Sequence, residues 1–295
     1  MTIALRFALY VDLMLLFGMG GYALHAGGAM KTVSRRALAW LALAGVLLST
    51  TAFAFMTADM MGGGIADVDG ETLKFMLLES AVGTAFIVRL TVLLLMVLLL
   101  LITPRGGNTW VGAALAGVAL GSLAWLGHAA ASEDLSGTLH RAGDVVHLLA
   151  AGAWIGALAV FMSILVQARG SPAALHAARS ALDRFSLPGT LIVALLIATG
   201  AFNLLMIVGW DGLLRLPATR YGQLLIAKLA LFLVMVGLAA SNRWRLTPAL
   251  ERGIADGHTD GAVKALRFSL RAEATAAIAI LLLVAWMGTL DPRAA

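Results

Sequence analysis

Polar residues in this chain fall in short clusters, and between the clusters run apolar stretches near residues 3–25, 37–57, 78–102, 110–131, 139–167, 184–208, 219–241 and 268–290. A helix needs about 20 residues to cross roughly 30 Å of hydrocarbon, and each stretch reaches that length. The pattern predicts an all-α, polytopic membrane bundle of eight transmembrane helices, in a single integral membrane domain over residues 1–295. Composition agrees: 61% of residues are hydrophobic, 13% are charged and the mean hydropathy is +0.93, outside the range of a soluble domain.

The connections between spans alternate in charge. Lys31, Arg35 and Arg36 lie in the first, Arg105 in the third, Arg169 and Arg179 in the fifth, and Arg243, Arg245, Arg252, Lys264 and Arg267 in the seventh. The second instead carries Asp59, Asp67, Asp69 and Glu71. By the positive-inside rule the basic connections are cytoplasmic, so both termini are expected on the extracytoplasmic side. The net charge of +5 and the pI of about 10.1 are then orientation signals, and no nucleic-acid partner is expected. The first span reads as retained, because its apolar run is longer than a signal-peptide core and only Arg6 precedes it. Residues 71–80 are amphipathic and read as an interfacial lead into span three, and 242–267 as a short cytoplasmic connector. Trp110, Trp125, Trp154 and Trp210 are expected in interfacial belts, and Gly112, Gly117 and Gly121 are expected to bring span four close to its neighbours.

The chemistry concentrates where spans four and five meet. His128 closes one and His140, Asp144 and His147 open the next. At i, i+4 and i+7 the last three project from one helix face within roughly 60° of arc, and the stripe descends roughly 10 Å from the expected outer surface. Span two ends at the same surface with Met56 and Met60. Cysteine is absent, so soft ligation falls to methionine and histidine. Thioethers with imidazoles suit Cu(I), imidazole with carboxylate suits Cu(II) or Zn, and copper is the ion both halves can hold. Asp12, Arg89, Lys228 and Glu273 lie within spans, where an unpaired charge is costly; Asp12 is expected to pair with Arg89, and Lys228 with a carbonyl or an acid. No Ser/His/Asp spacing, phosphate-binding glycine loop, Walker lysine or HExxH is present, so no enzyme is expected.

Gly127-His128-Ala129, His140 with Asp144-Val145-Val146-His147, and Ala153-Trp154-Ile155-Gly156 resemble the central signature of the copper resistance D (CopD) family of bacterial inner-membrane proteins. Arg184-Phe185-Ser186, Thr199-Gly200, Tyr221-Gly222 with Lys228, Asn242-Arg243 with Pro248, and Glu273 before Pro292 follow in the family's order. These motifs cover spans four to eight, while the first three spans match in hydrophobic pattern alone. The resemblance implies an eight-helix bundle that handles copper and moves it inward across the membrane. It also implies a periplasmic copper-binding partner of the CopC type, which some members carry fused; this chain shows no such soluble segment, so copper would arrive from a separate protein or from solution. The family's histidines fall on His128, His140 and His147, whereas Met56, Met60 and Asp144 come from the reading of the spans.

Two other readings belong to different classes. A haem b electron-transfer protein needs two histidines at matching depth, for which His128 and His147 are the available pair, and it predicts a Soret band. A metal-free structural or sensing subunit, whose histidines only cap helices, predicts no bound metal. If copper binds to neutral imidazole, binding weakens as pH falls through about 6.5.

Overall fold

A computed structural model describes residues 2–25, 33–103, 109–126, 135–168 and 171–292. Among these, eight helices are long and apolar enough to cross a membrane, and no strand occurs. In chain order the helices are α1 (Ile3–His25), α2 (Arg35–Met61), α3 (Gly70–Leu78), α4 (Ala81–Ile102), α5 (Thr109–Gly121), α6 (Leu135–Gln167), α7 (Pro172–Arg184), α8 (Ser186–Gly212), α9 (Arg220–Ser241), α10 (Thr247–Ala255) and α11 (Asp260–Met287).

The boundaries move where polar residues have helical propensity that hydropathy does not register. α6 begins at Leu135 rather than 139, through Ser136, Gly137 and Thr138, and α11 at Asp260 rather than 268, through Asp260, Lys264 and Arg267, because a helix extends through polar residues once its backbone ladder has started. In span four, α5 ends at Gly121 and tightens into a 3₁₀ turn over Ser122–Leu126, and residues 127–131 of the expected span lie outside the described residues. The 71–80 segment is the short helix α3, stopped at Ser80, whose hydroxyl donates to the Met76 carbonyl at 2.6 Å and accepts from the Gly83 amide at 2.9 Å. A Cβ at Gly83 would strike the Met76 carbonyl oxygen, so the sharp step from α3 into α4 requires glycine. The expected connector after α9 is also helical, a π turn over Asn242–Leu246 followed by α10, which an Arg179–Glu251 ion pair at 2.7 Å ties to α7.

Asp69 caps α3 by accepting from the Thr72 amide at 2.7 Å and the Thr72 hydroxyl at 3.1 Å. These bonds favour the charged form, the amide bond most, and hold the Asp69 carboxyl below its ordinary range. A depressed folded value means that the cap's contribution is present above the unfolded pKa, about 3.9, and is lost as pH falls through the folded one. Asp69→Ala is therefore expected to fray α3 at neutral pH as acid does to the parent. Faster amide exchange at Thr72 reports it, and unchanged exchange would contradict it.

α1 runs through the middle of the bundle, packed by α2, α5, α6 and α11, and its Leu9, Leu13 and Leu16 are fully buried. Its most extensive partner is α6, and the reason is steric. A Cβ at Gly18 would meet the Gly152 carbonyl oxygen and the Gly156 Cα, and a Cβ at Gly156 would meet the Gly18 backbone. Backbone therefore lies on backbone, as small residues permit in membranes. In span four the glycines admit neighbouring side chains instead of backbone: a Cβ at Gly117 or Gly121 would stand 3.2 Å from Phe17 or Val145, and one at Gly112 3.4 Å from Met96.

Arg6 of α1 lies against Gly288, just past α11. The start of α1 and the finish of α11 thus share one end of the bundle, the near end; the α7–α10 side is the far end. α8 packs along α6, and α9 along α11, but α8 and α9 do not pack along each other. The groove between them is backed by α6 and α11. Trp154 departs from the belt expectation, being buried at the back of this groove, while Trp110 and Trp210 are exposed.

Candidate functional site

At the near end the groove widens into a cavity of about 160 Å³ lined by Arg6, Tyr10, Asp144, His147, Asn203 and Lys228 among others. α6 contributes Asp144 and His147 one turn apart on the same face. α8 faces them with Thr199 and Asn203, and it can come close because residue 143 is glycine: a Cβ there would stand 2.8 Å from Phe202 and 3.1 Å from the Asn203 side-chain oxygen. Asn203 Nδ2 donates to Asp144 Oδ1 at 2.5 Å, and His147 Nδ1 lies 2.9 Å from Thr199 Oγ1.

The Thr199 hydroxyl sets the imidazole tautomer. Its single hydrogen is donated to the Leu195 carbonyl at 2.6 Å, so toward His147 it can only accept. Nδ1 therefore carries the ring hydrogen and Nε2 keeps its lone pair. This is the arrangement by which a supporting hydrogen bond prepares histidine to ligate a cation through its other nitrogen. Asp144 supplies negative charge one turn away, and Lys228 of α9 faces it across the cavity without closing an ion pair.

The stripe expected along α6 is continuous, but the tertiary structure divides it. His140 is buried at 8% exposure and does not line the cavity that holds Asp144 and His147. His128 lies outside the described residues. The methionines stand elsewhere: α2 packs on α1 and α4, Met56 joins Phe53, Met76 and Phe86, and Met60 is 66% exposed. Among the described residues no three of His, Cys, Asp and Glu come together as a metal-holding group. A cation in the cavity would take Nε2 of His147 and the carboxylate of Asp144 from the protein, with further coordination from small ligands.

The expected Asp12–Arg89 pair does not form. Arg89 is 1% exposed and donates to Ser122 Oγ at 3.3 Å, while Asp12 Oδ2 is buried with no hydrogen-bond partner among the described residues. The residues that sequence reasoning did not single out are Asn203, which holds the carboxylate, and Tyr10 and Arg6, which wall the cavity from α1. A polar asparagine inside an apolar span was the available signal for the first of these.

Two family models match the chain. Copper resistance protein D-like, N-terminal domain, covers residues 1–138, and Copper resistance protein D covers residues 179–287. The likeness thus reaches the first three spans as well, and most of α6 lies between the two matched segments. Copper resistance protein D of Pseudomonas syringae pv. tomato is 36% identical over 99% of this chain and 97% of its own length. Inner membrane protein YebZ of Escherichia coli (strain K12) is 29% identical over 98% of each. No solved structure matches. With both models matched and a copper resistance protein aligned along almost its whole length, this multi-pass membrane protein belongs to the copper resistance D family.

Proposed function

We propose that the protein takes up copper at the near end of the bundle and moves it along the α6–α8–α9–α11 groove, from periplasm to cytoplasm of the bacterial inner membrane. The observation that carries this reading is the prepared imidazole: His147 presents an unprotonated Nε2 to a cavity that also holds Asp144, inside a span where either group alone would be costly. The charge pattern of the connections supports a periplasmic position for this cavity, and the names of the relatives point to copper. His140 lies about 10 Å nearer the helix start than His147, on the side from which copper would enter. Copper is cargo here, and a small periplasmic copper protein of the CopC type is the donor this reading expects. Met56 and Met60 belong to that outer surface, where they can receive copper before it enters.

Purified protein reconstituted into lipid vesicles with a copper-sensitive dye inside tests the reading. Copper added outside should reach the lumen only through molecules with the near end outward, so blocking that orientation with an impermeant label should abolish the signal. Flux through the opposite orientation alone would reverse the direction, and no flux over empty vesicles would remove transport.

Lys228 supplies a further check. Its ammonium shares the cavity with the incoming cation and repels it, the more strongly because the surroundings are apolar. Lys228→Gln should bind copper several-fold more tightly in equilibrium dialysis. Weaker binding would mean that Lys228 organises the site rather than opposing the ion.

A further inference from the structure

The same groove holds a second cavity at the far end, about 250 Å³, and its innermost polar group is Glu273 of α11, 1% exposed. Asn242, in the π turn after α9, donates through Nδ2 to Glu273 Oε1, and Trp154 lines the same cavity. No cation among the described residues pairs with the Glu273 carboxylate. Arg243 is the other charged residue on the cavity wall, and it is engaged elsewhere: it donates to Thr190 Oγ1 at 2.5 Å and the Ser186 carbonyl at 3.3 Å, and it lies over the Trp244 ring. α8 faces the carboxyl with Thr190, α7 contributes Leu182 and α10 contributes Thr247, none of them charged. Tyr22 of α1 packs on Phe161 and Phe185 behind the wall.

Asn242 carries a second clue. Its Oδ1 is buried without any hydrogen-bond partner among the described residues, although its Nδ2 is bonded to Glu273. A buried orphan acceptor beside a buried, uncompensated carboxylate is costly twice over. One proton removes both costs. A carboxylic acid and a primary amide close a two-bond ring: Nδ2–H to Oε1, and Oε2–H to Oδ1. We infer that Glu273 is a proton-binding site, held as a neutral acid against Asn242 and exchanging its proton with the far-end compartment through the cavity.

The position gives this proton a use that rests on the transport reading above. Trp154 of α6 lines the far cavity with Glu273 and makes an edge contact with Phe232 of α9, ring centres 6.0 Å apart. Trp154 thus joins an apolar contact between α6 and α9 to the surroundings of the Glu273 carboxyl. Loss of the proton to water in the far cavity leaves a carboxylate that draws on the N–H groups of Asn242 and of the neighbouring Trp154 more strongly, which links the protonation state to that contact. Inward cation movement is thereby coupled to proton exchange at the far end.

Infrared spectroscopy on the purified full chain tests the site directly. The wild type at neutral pH should show a protonated-carboxyl C=O band that Glu273→Gln removes and that Asn242→Leu shifts by opening the ring. A spectrum in which Glu273→Gln removes no such band overturns the proton site whatever the protein transports. In vesicles, copper flux in the wild type should respond to an imposed pH gradient, and Glu273→Gln should abolish that response while leaving copper binding by the purified protein unchanged. Wild-type flux indifferent to the gradient overturns the coupling. A protein that keeps the band but moves no copper upholds the proton site and removes the transport reading.

Discussion

Replacing His147 with alanine is expected to weaken copper binding by the purified protein more than about 100-fold, beyond the 10–100-fold that loss of a supporting partner costs at a metal site. His147 contributes the only nitrogen lone pair that the described cavity presents in a fixed orientation, and Asp144 alone offers a single hard carboxylate. Cells relying on this protein should then respond to copper as the deletion strain does. Thr199→Val gives a sharper result, because it leaves the imidazole in place and removes only the group that fixes its tautomer. Its expected loss is 10–100-fold. If both variants bind copper as the parent does, the near cavity is not the binding site. If His140→Ala alone abolishes binding, the ion docks nearer the surface than proposed.

The other large effect is structural. Gly156→Leu is expected to prevent assembly of the bundle, seen as loss of monodisperse protein after detergent extraction. A side chain at residue 156 would occupy the place of the Gly18 backbone, and backbone cannot rotate away as a flexible side chain can. Forcing extra atoms into a packed core typically costs 1–3 kcal/mol even where side chains give way, so Gly156→Ala should already lower the thermal midpoint clearly. Gly112→Ala serves as the control, since its Cβ would lie 3.4 Å from the movable end of Met96. Equal midpoints for the two alanine variants would show that α1 and α6 can separate without cost.

These two results concern different levels of the molecule, and the sequence was legible to different depths at each. Hydropathy located all the spans, because the cost of burying unpaired backbone and charge in hydrocarbon is a property of each segment alone. It erred at the starts of α6 and α11, whose polar first turns are helical, and it did not register the tightening of the chain after Gly121. The site was legible as residue types and helical phase: Asp144 and His147 on one face of α6 follow from spacing. Their partners were not. Asn203 and Thr199 lie 59 and 52 residues further along, and nothing in either segment states that α8 is the helix that covers that face. The Asp12–Arg89 expectation failed for the same reason, since depth in the membrane is readable from a span but rotation about its axis is not.

Sequence by itself determined that this chain is an eight-span helical membrane protein, that its basic residues favour one side, and that its histidines and acid share a stripe. Those properties are set by composition and by the 3.6-residue period, both local. Tertiary structure decided that the stripe is divided, with His147 and Asp144 in a cavity and His140 outside it. It also decided that the methionines stand apart, and that Glu273 meets Asn242 at the far end of the same groove. The physical reason is that contacts between helices depend on which faces can approach. In this bundle, glycine at residues 18, 143 and 156 allows backbones and side chains of distant segments to approach where any larger residue would hold them apart.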